Sequence, residues 1–411
     1  MSNKLNIGLF GYGCVGSGLF RILRQYDLPF AIKKIGVKNI SKPRDIDAGW
    51  FTFNKEELLT DDSIQVIVEL IDDADEAFYI VKQALLNGKH VVSANKKMIA
   101  TNLSELIQLQ QQTGKTLLYE GAVCGSIPVL RILDQYYANE ELSEVAGILN
   151  GTTNYILTQM ADGDLDYQTA LQLAADAGFA ESNPVMDVES YDPSFKLQII
   201  LAHAFGIITQ NEQIIRFGVK YITAADIQFA KQMGCKIKLI ARVAKTKTEL
   251  CVYVMPTFVD ATNALFNINH ENNALSIQPH FADKQFFSGK GAGSFPTASA
   301  VLSDLTAITQ NQSYAYSKQN KELAPSFNST GAIKVYVRTS LHLSALAHMQ
   351  IEQQWHEGST QFYIGNIPLN HAKQLAEIQN NGGFVAAFDA PPTIKLSTHF
   401  QKNDEVLFSI H

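Results

Sequence analysis

The sequence predicts an α/β protein: an N-terminal parallel sheet wound with helices, then an α+β region, then a small C-terminal α/β module. Three observations carry that prediction. Short apolar runs alternate with stretches of helical spacing through residues 1–130. A glycine-rich turn joins the first run to the first helix. From Lys236 to Val259 the pattern becomes strand-rich, with β-branched residues throughout. A chain of 411 residues has room for two or three domains. The pattern divides it into 1–130, completed by about 294–325, then 131–293, then 330–411.

Composition narrows the function. With 46% hydrophobic and 18% charged residues, the chain has the make-up of an ordinary soluble globular protein. A net charge of −7 with scattered basic residues gives no field for nucleic acid or an anionic membrane. Leu5–Phe10 is too short for a signal peptide core and runs straight into glycines. No stretch approaches the roughly 18 apolar residues of a membrane span. Cys14, Cys124, Cys235 and Cys251 show neither CxxC pairing nor metal-ligand spacing, so reduced thiols in the cytoplasm are expected.

The first element is a strand, Leu5–Phe10, ending in Gly11-Tyr12-Gly13-Cys14-Val15-Gly16, and Ser17–Tyr26 follows with helical spacing. This is G-x-G-x-x-G in its required context, after a strand and opening a helix. Gly11 allows the tight turn, Gly13 the close approach of a pyrophosphate, and Gly16 the helix–strand contact. The expected fold is therefore of the Rossmann type, with helix N–H groups facing the phosphates. The second strand, Ala31–Val37, lacks the carboxylate that would grip a ribose 2′-hydroxyl. Lys38, Lys42 and Arg44 follow instead, which suits a 2′-phosphate and favours NADP over NAD, although Asp45 and Asp47 are close by.

Two further apolar runs continue the pattern: Ile64–Ile71 before the helical stretch Asp75–Asn87, and His90–Ala94 with Asn95-Lys96-Lys97 at its carboxyl end. Ligands in open α/β sheets bind at strand carboxyl ends, so Asn95 and Lys96 stand where chemistry is done. A solvated surface lysine is the competing reading. The strand Thr116–Tyr119 leads into the glycine-interrupted loop Glu120–Pro128.

Small and hydroxyl residues, Thr152 among them, dominate Asn150–Asn154 ahead of the helix Tyr155–Ala161. They can orient a polar ligand or merely cap that helix. Another helix, Tyr167–Ala177, ends at Gly178. The segment Gly178–Lys196 then gathers Glu181, Asp187, Glu189, Asp192 and Lys196. Carboxylates hold ammonium groups and a lysine passes a proton to a reacting oxygen, so an amino-acid-like substrate fits here. Asp192-Pro193 reads as a helix start, Asp at the N-cap and Pro in the first position, which puts Lys196 about one turn further on. A plain capped helix with a surface lysine is the other reading. Lys238–Ala244 and Cys251–Met255 should form an antiparallel sheet, a candidate dimer surface. Gly289–Ser299 is a second glycine loop before the helix Ala298–Thr309; it can offer backbone N–H groups, that of Gly293 among them, to a nucleotide, or be a flexible surface loop.

Taken in order, Gly11–Gly16, Ser93-Ala-Asn-Lys96, Tyr119-Glu120 with Gly125-Ser-Ile-Pro128, Asn150–Ile156, Gly178–Lys196 and Gly289–Ser299 resemble the homoserine dehydrogenases. The resemblance covers about residues 5–310. It implies reversible NAD(P)H-dependent reduction of L-aspartate 4-semialdehyde to L-homoserine, in threonine, methionine and isoleucine biosynthesis. It implies Lys196 as proton donor, with Lys96 orienting substrate or assisting the transfer, and Ser93 beside the cofactor. Glu181 and Asp192 would hold the substrate, with Asp187, Gly178 and Thr152 shaping its pocket. A second cation near Lys196, such as Lys96, would lower the high affinity of an amine for its proton. The resemblance further implies a homodimer and a monovalent cation, sodium, on main-chain carbonyls of Glu120, Val123, Gly125 and Ile127; such oxygens suit hard cations. Asn183 stands where an aspartate is usual and Ser190 where a glycine is common, which touches the turn delivering Asp192.

In the tail, Lys334–Thr339, Leu341–Met349, Phe362–Gly365, Leu369–Gln379 and Gly383–Phe388 read as strand, helix, strand, helix, strand. That order resembles a regulatory module of the ACT type. Ser340-Leu-His-Leu lacks the Asp-x-Pro-Gly turn expected there, which favours a degenerate module with a structural or dimer-packing role; allosteric threonine sensing is the alternative. Three rival functions fit the sequence less well. An acylating aldehyde dehydrogenase would use Cys124 as nucleophile, but no histidine motif accompanies it. A zinc alcohol dehydrogenase lacks its ligand spacings. An inactive dinucleotide sensor would have no use for Lys96, Glu181, Asp192 and Lys196 together.

Overall fold

The apolar run Leu5–Phe10 becomes β1, buried from Ile7 onward, at the heart of a six-stranded sheet. In this computed structural model, residues 4–245, 249–319, 331–340 and 346–389 are described. They divide into two units: the described residues of Met1–Gly151, Asp192–Ile214 and Glu271–Ala324, and those of Thr152–Tyr191, Ile215–His270 and Pro325–His411.

In the first unit β1 is joined by β2 (Phe30–Gly36), β3 (Phe51–Thr52), β4 (Val66–Glu69), β5 (His90–Ser93) and β6 (Leu117–Leu118). Their order is β3-β2-β1-β4-β5-β6, and every neighbouring pair is parallel. This is the doubly wound order whose crevice lies beside β1, at the carboxyl ends of the strands. All four residues of β4 are buried, so no polar alternation marks it. Between the strands run α1 (Cys14–Gln25), α2 (Ala74–Leu86) and α3 (Lys96–Thr113). Asp73 caps α2 by accepting from Asp75 N and Glu76 N, and Asn95 caps α3 through Met98 N. Gly114, at φ +64°, ends α3.

The same unit holds an antiparallel ladder, Leu142–Ile148 against Asn272–Pro279 against Gln285–Lys290, which the sequence had not announced. It also holds two long helices, α4 (Tyr191–Phe205, all but its first residue) and α5 (Ser294–Thr309). Every residue of α4 from Asp192 to Phe205 is buried, which is why it reads apolar all round. The second glycine loop brings α5 against α1. A Cβ on Gly18 would lie 2.4 Å from Ser294 Oγ, and that hydroxyl donates to Cys14 O at 2.6 Å.

The second unit is built on a long hairpin, Cys235–Lys245 with Leu250–Asp260, in unbroken antiparallel register from Lys245↔Leu250 to Cys235↔Asp260. Four C-terminal strands follow: Ala332–Thr339, Gln350–Glu357, Thr360–Pro368 and Phe384–Phe388. Counted in chain order they lie fourth-first-third-second, each antiparallel to its neighbour. The fourth also pairs in parallel with Leu250–Asp260 through Thr257↔Ala387 and Phe258↔Phe388. One core serves both parts, with Val335, Val337, Ile367 and Val385 packed with Ile215, Phe217, Tyr253 and Met255. Gln350–Glu357 had not been anticipated as a strand. It is a mostly exposed edge strand, and polar residues on both faces leave no period of two. Of the helix expected over 341–349, residues 341–345 lie outside the described residues.

Candidate active site

The helix start expected at Asp192 needs a correction. α4 begins at Tyr191, so Asp192 lies inside the first turn. Ser190 precedes it at φ +67°, a left-handed conformation that glycine adopts more readily, and its hydroxyl donates to Phe217 O at 2.9 Å. Asp192 caps nothing because its carboxylate is committed sideways. Oδ1 is 2.8 Å from Lys96 Nζ, and Oδ2 is 2.8 Å from Lys196 Nζ. Asn150 Nδ2 also donates to Oδ2, at 2.8 Å. Lys196 Nζ donates in addition to Leu149 O at 2.6 Å.

Three pieces of the first unit therefore meet on one carboxylate: the first turn of α3, the first turns of α4, and the chain leaving Leu142–Ile148. Asp192 is 3% exposed and Lys196 7%. The Lys96 side chain, at 42%, reaches in from a wetter position. Burial alone would raise the Asp192 carboxyl, but the ammonium groups of Lys196 and Lys96 override it and hold it well below the ordinary range. The two lysines are thus close, as expected, with a shared anion between them. Such a group can fix a proton-bearing amine in a dry place and aim it at a reacting oxygen.

The glycine loop is shaped by close approach. A Cβ on Gly16 would lie 2.2 Å from Gly11 O, and Gly11 sits at φ +96° against Leu70 O. Gly13 is open, with nothing within 4 Å of a Cβ there. It is also the N-cap of α1 and brings no side chain to cap the helix. Cys14 is exposed beside it and Val15 half-buried. These features fit a pyrophosphate approaching the helix N-terminus. At the far end of β2, Lys38 is exposed. Arg44 staples its own loop, Nη2 donating to Asn39 O at 2.7 Å and Nη1 to Lys42 O at 3.0 Å, over the face of Phe51. Asp45 is held by Arg21 Nη2 at 2.8 Å and by the Tyr12 hydroxyl at 2.9 Å. Burial, with Asp45 beside it, pushes the Tyr12 phenol up to about 12.

The Glu120–Ile127 loop is buried but for Gly121 and the exposed Ser126, and turns at Gly125, φ +51°, where a Cβ would lie 2.6 Å from Gly291 C. The Glu120 side chain is occupied, accepting from Leu130 N at 2.7 Å and Arg131 N at 2.9 Å. What Glu120, Val123, Gly125 and Ile127 can offer a cation is therefore main-chain oxygen, a donor set fitting a hard monovalent ion. Burial pushes the Cys124 thiol up to about 12, the opposite of an activated nucleophile.

In the second unit, Thr152 Oγ1 donates to Phe179 O at 2.6 Å and so ties the turn made by Gly178 at φ +76°. Glu181 is exposed, and Asp187 is half-buried in the short helix Val185–Val188. One buried group escaped sequence reasoning. Lys238, 1% exposed, donates to Asn154 Oδ1 at 3.2 Å, to Asn269 Oδ1 at 3.1 Å and to Ile268 O. Burial, with Lys236 adding to it, lowers its amine to about 7. The available signal was a lysine in the middle of the apolar run Ile237–Ala241.

The chain is similar to known proteins. Residues 128–306 match the model of the homoserine dehydrogenase family, and residues 11–120 that of the homoserine dehydrogenase NAD-binding domain. The homoserine dehydrogenase of Bacillus subtilis is 34% identical over 317 residues, covering 75% of this chain and 73% of the relative. A solved homoserine dehydrogenase from Thiobacillus denitrificans is similar with a TM-score of 0.82 at 26% identity, covering 94% of this chain and 98% of that one. One from S. aureus gives 0.72 at 29% identity, covering 94% of this chain and 100% of that one.

Proposed function

The chain belongs to the homoserine dehydrogenase family, oxidoreductases that act on a CH–OH group with NAD(P), and from that premise we propose that Lys196 is its proton donor. The reaction is the reversible reduction of L-aspartate 4-semialdehyde to L-homoserine. The observation that supports the role is the Lys96–Asp192–Lys196 cluster, buried at Asp192 and Lys196 and part-exposed at Lys96. The bound nicotinamide supplies hydride to the aldehyde carbon. Lys196 gives the proton on Nζ to the aldehyde oxygen, and in the oxidative direction takes it back. Asp192 and Leu149 O fix that amine, and Asp192 keeps Lys96 alongside to orient the substrate. Glu181 and Asp192 are read as holding the substrate, with Asp187, Gly178 and Thr152 shaping its pocket, on the family resemblance alone.

Gly11–Gly16 would hold the cofactor's pyrophosphate, with Ser93 and Gly293 contributing. NADP is the preferred form, on the strength of Lys38 and of Arg44 in the loop after β2. The carbonyls of Glu120, Val123, Gly125 and Ile127 would hold sodium, with a structural role. The protein is read as a cytoplasmic homodimer, its second-unit hairpin serving as the dimer surface. Its parts are a dinucleotide domain (1–130 with about 294–325), a substrate domain (131–293) and an ACT-like module (330–411). The fourth-first-third-second order of the terminal strands supports the last, being that of a split βαβ fold.

The test is formation of reduced cofactor from L-homoserine with NADP and, separately, with NAD. Lys196→Ala should abolish turnover while largely sparing cofactor binding. Near-normal turnover in that variant would remove Lys196 from the mechanism.

A further inference from the structure

Glu69 ends β4 with no exposed surface, a buried carboxyl that neither the glycine loop nor the lysine cluster explains. Its Oε2 accepts the Ser93 hydroxyl at 2.6 Å, and its Oε1 accepts Ile71 N–H at 2.7 Å. Asn95 N–H donates to Ser93 Oγ at 3.1 Å, and Asn95 Nδ2 donates to Ile71 O at 3.0 Å. Glu69, Ser93, Asn95 and Ile71 thus form a closed hydrogen-bonded ring across the carboxyl ends of β4 and β5, where Glu69 and Ser93 are register partners. Asn95 is also the cap of α3, its Oδ1 accepting Met98 N–H at 2.9 Å. The next residue is Lys96, whose Nζ lies on Asp192.

We propose that Glu69 is a positioning residue: its carboxyl closes the ring that fixes Asn95, and so sets Lys96 against Asp192 beside Lys196. A turn of Asn95 would re-aim the first turn of α3, and misplacement of that kind is costly far from the bonds that change. Burial pushes the carboxyl up to about 7, and Asp72 adds to the rise, while Ser93 and Ile71 pull against it. Either protonation state can close the ring. The carboxylate accepts from both donors, and the neutral acid turns its own O–H onto Ser93 Oγ. An amide reproduces the second arrangement, whereas a methyl group closes nothing.

The inference rests on the dehydrogenase reading only where turnover is the readout, so the primary readout is independent of it. Wild type, Glu69→Ala and Glu69→Gln are acylated briefly, and labelling of Lys96 is followed by peptide mass spectrometry. Lys33, exposed on β2, is the internal reference. Lys96 should label at least about threefold faster in Glu69→Ala, as expected when a partly exposed ion pair is lost, and at the wild-type rate in Glu69→Gln. In parallel, kcat with L-homoserine should fall about tenfold or more in Glu69→Ala and be kept in Glu69→Gln, with NADPH Kd within about threefold of wild type in both. If Glu69→Ala does not fold, Ser93→Ala cuts the same ring and should show the same labelling change. Equal Lys96 labelling in all the proteins overturns the proposal whatever the turnover. So does a loss of kcat that both Glu69 variants share in proportion to lost cofactor binding. A labelling change in a protein that leaves L-homoserine untouched would uphold the ring and refute the dehydrogenase reading.

Discussion

Replacing Asp192 by asparagine should destabilise the protein measurably at neutral pH. The change keeps the side-chain volume, removes the charge between two ammonium groups and turns one acceptor into a donor facing an amine. Breaking a fully buried pair by removing one partner costs about 3–5 kcal/mol. Lys196 meets that description, at 9% side-chain exposure, but Lys96 at 42% does not, and water screens its share. The lower end, about 3 kcal/mol, is therefore expected. At roughly 2–4 °C per kcal/mol for bodies of 150–250 residues, the thermal midpoint should drop by about 6–12 °C. The pH dependence has a definite sign. The folded carboxyl is held below its ordinary range, so the unfolded chain binds the proton more readily. The stability from this group is complete above the unfolded pKa of about 3.9 and drains as pH falls through the depressed folded value. Thermal scans of both proteins from pH 7 into strong acid should show a gap that closes at the acid end. A midpoint for Asp192→Asn within about 2 °C of wild type at pH 7 would refute the paired-charge account.

Gly16→Ala forces a Cβ to 2.2 Å from Gly11 O, so the loop must shift; NADPH affinity should weaken by about tenfold or more by fluorescence titration, and an unchanged Kd would show the loop tolerates it. The Lys238 amine is lowered to about 7, against roughly 10.4 when unfolded, so the unfolded state binds more protons between those values and stability rises with pH there. The unfolding free energy of wild type, from urea titrations, should therefore climb from pH 7 to pH 10 relative to Lys238→Met, by about a few kcal/mol in all; parallel profiles would contradict the buried-amine reading. Cys124→Ala should keep turnover within about threefold, since a thiol pushed up to about 12 serves no nucleophilic step; its abolition would revive the acyl-enzyme route.

The parallel sheet was legible because its signals are local: an apolar run, a glycine fingerprint and a helical period follow one another within about thirty residues. The closeness of Asp192 and Lys196 was legible as well, being one helical turn. Lys96 lies far away in sequence, and only strand order brings α3 to α4. Where α4 starts was misread because capping statistics assume an aspartate free to cap, and this one is held by amines. Gln350–Glu357 left no trace because a mostly exposed edge strand, with only Gln353 and Trp355 half-buried, has too short a buried period to betray it. Glu69 lies inside the apolar run Ile64–Ile71, and a ring of hydrogen bonds between two strand ends writes nothing into linear spacing.

The parallel pairing of Phe384–Phe388 with Leu250–Asp260 bears on how such a chain could be shortened. The family match ends at residue 306 of 411, which invites cutting the 105 residues beyond it (411 − 306) as an appendage. The hairpin would then lose more than a neighbour. Main-chain groups now answered at Thr257 and Phe258 would face water, the stack of Phe258 on Phe388 would be gone, and Arg242 would lose Asp389. What remained would be a naked strand flank bordered by apolar side chains, the kind of surface that recruits strands from other molecules. A truncated enzyme should therefore fail first by clumping, before any defect in its chemistry could be seen.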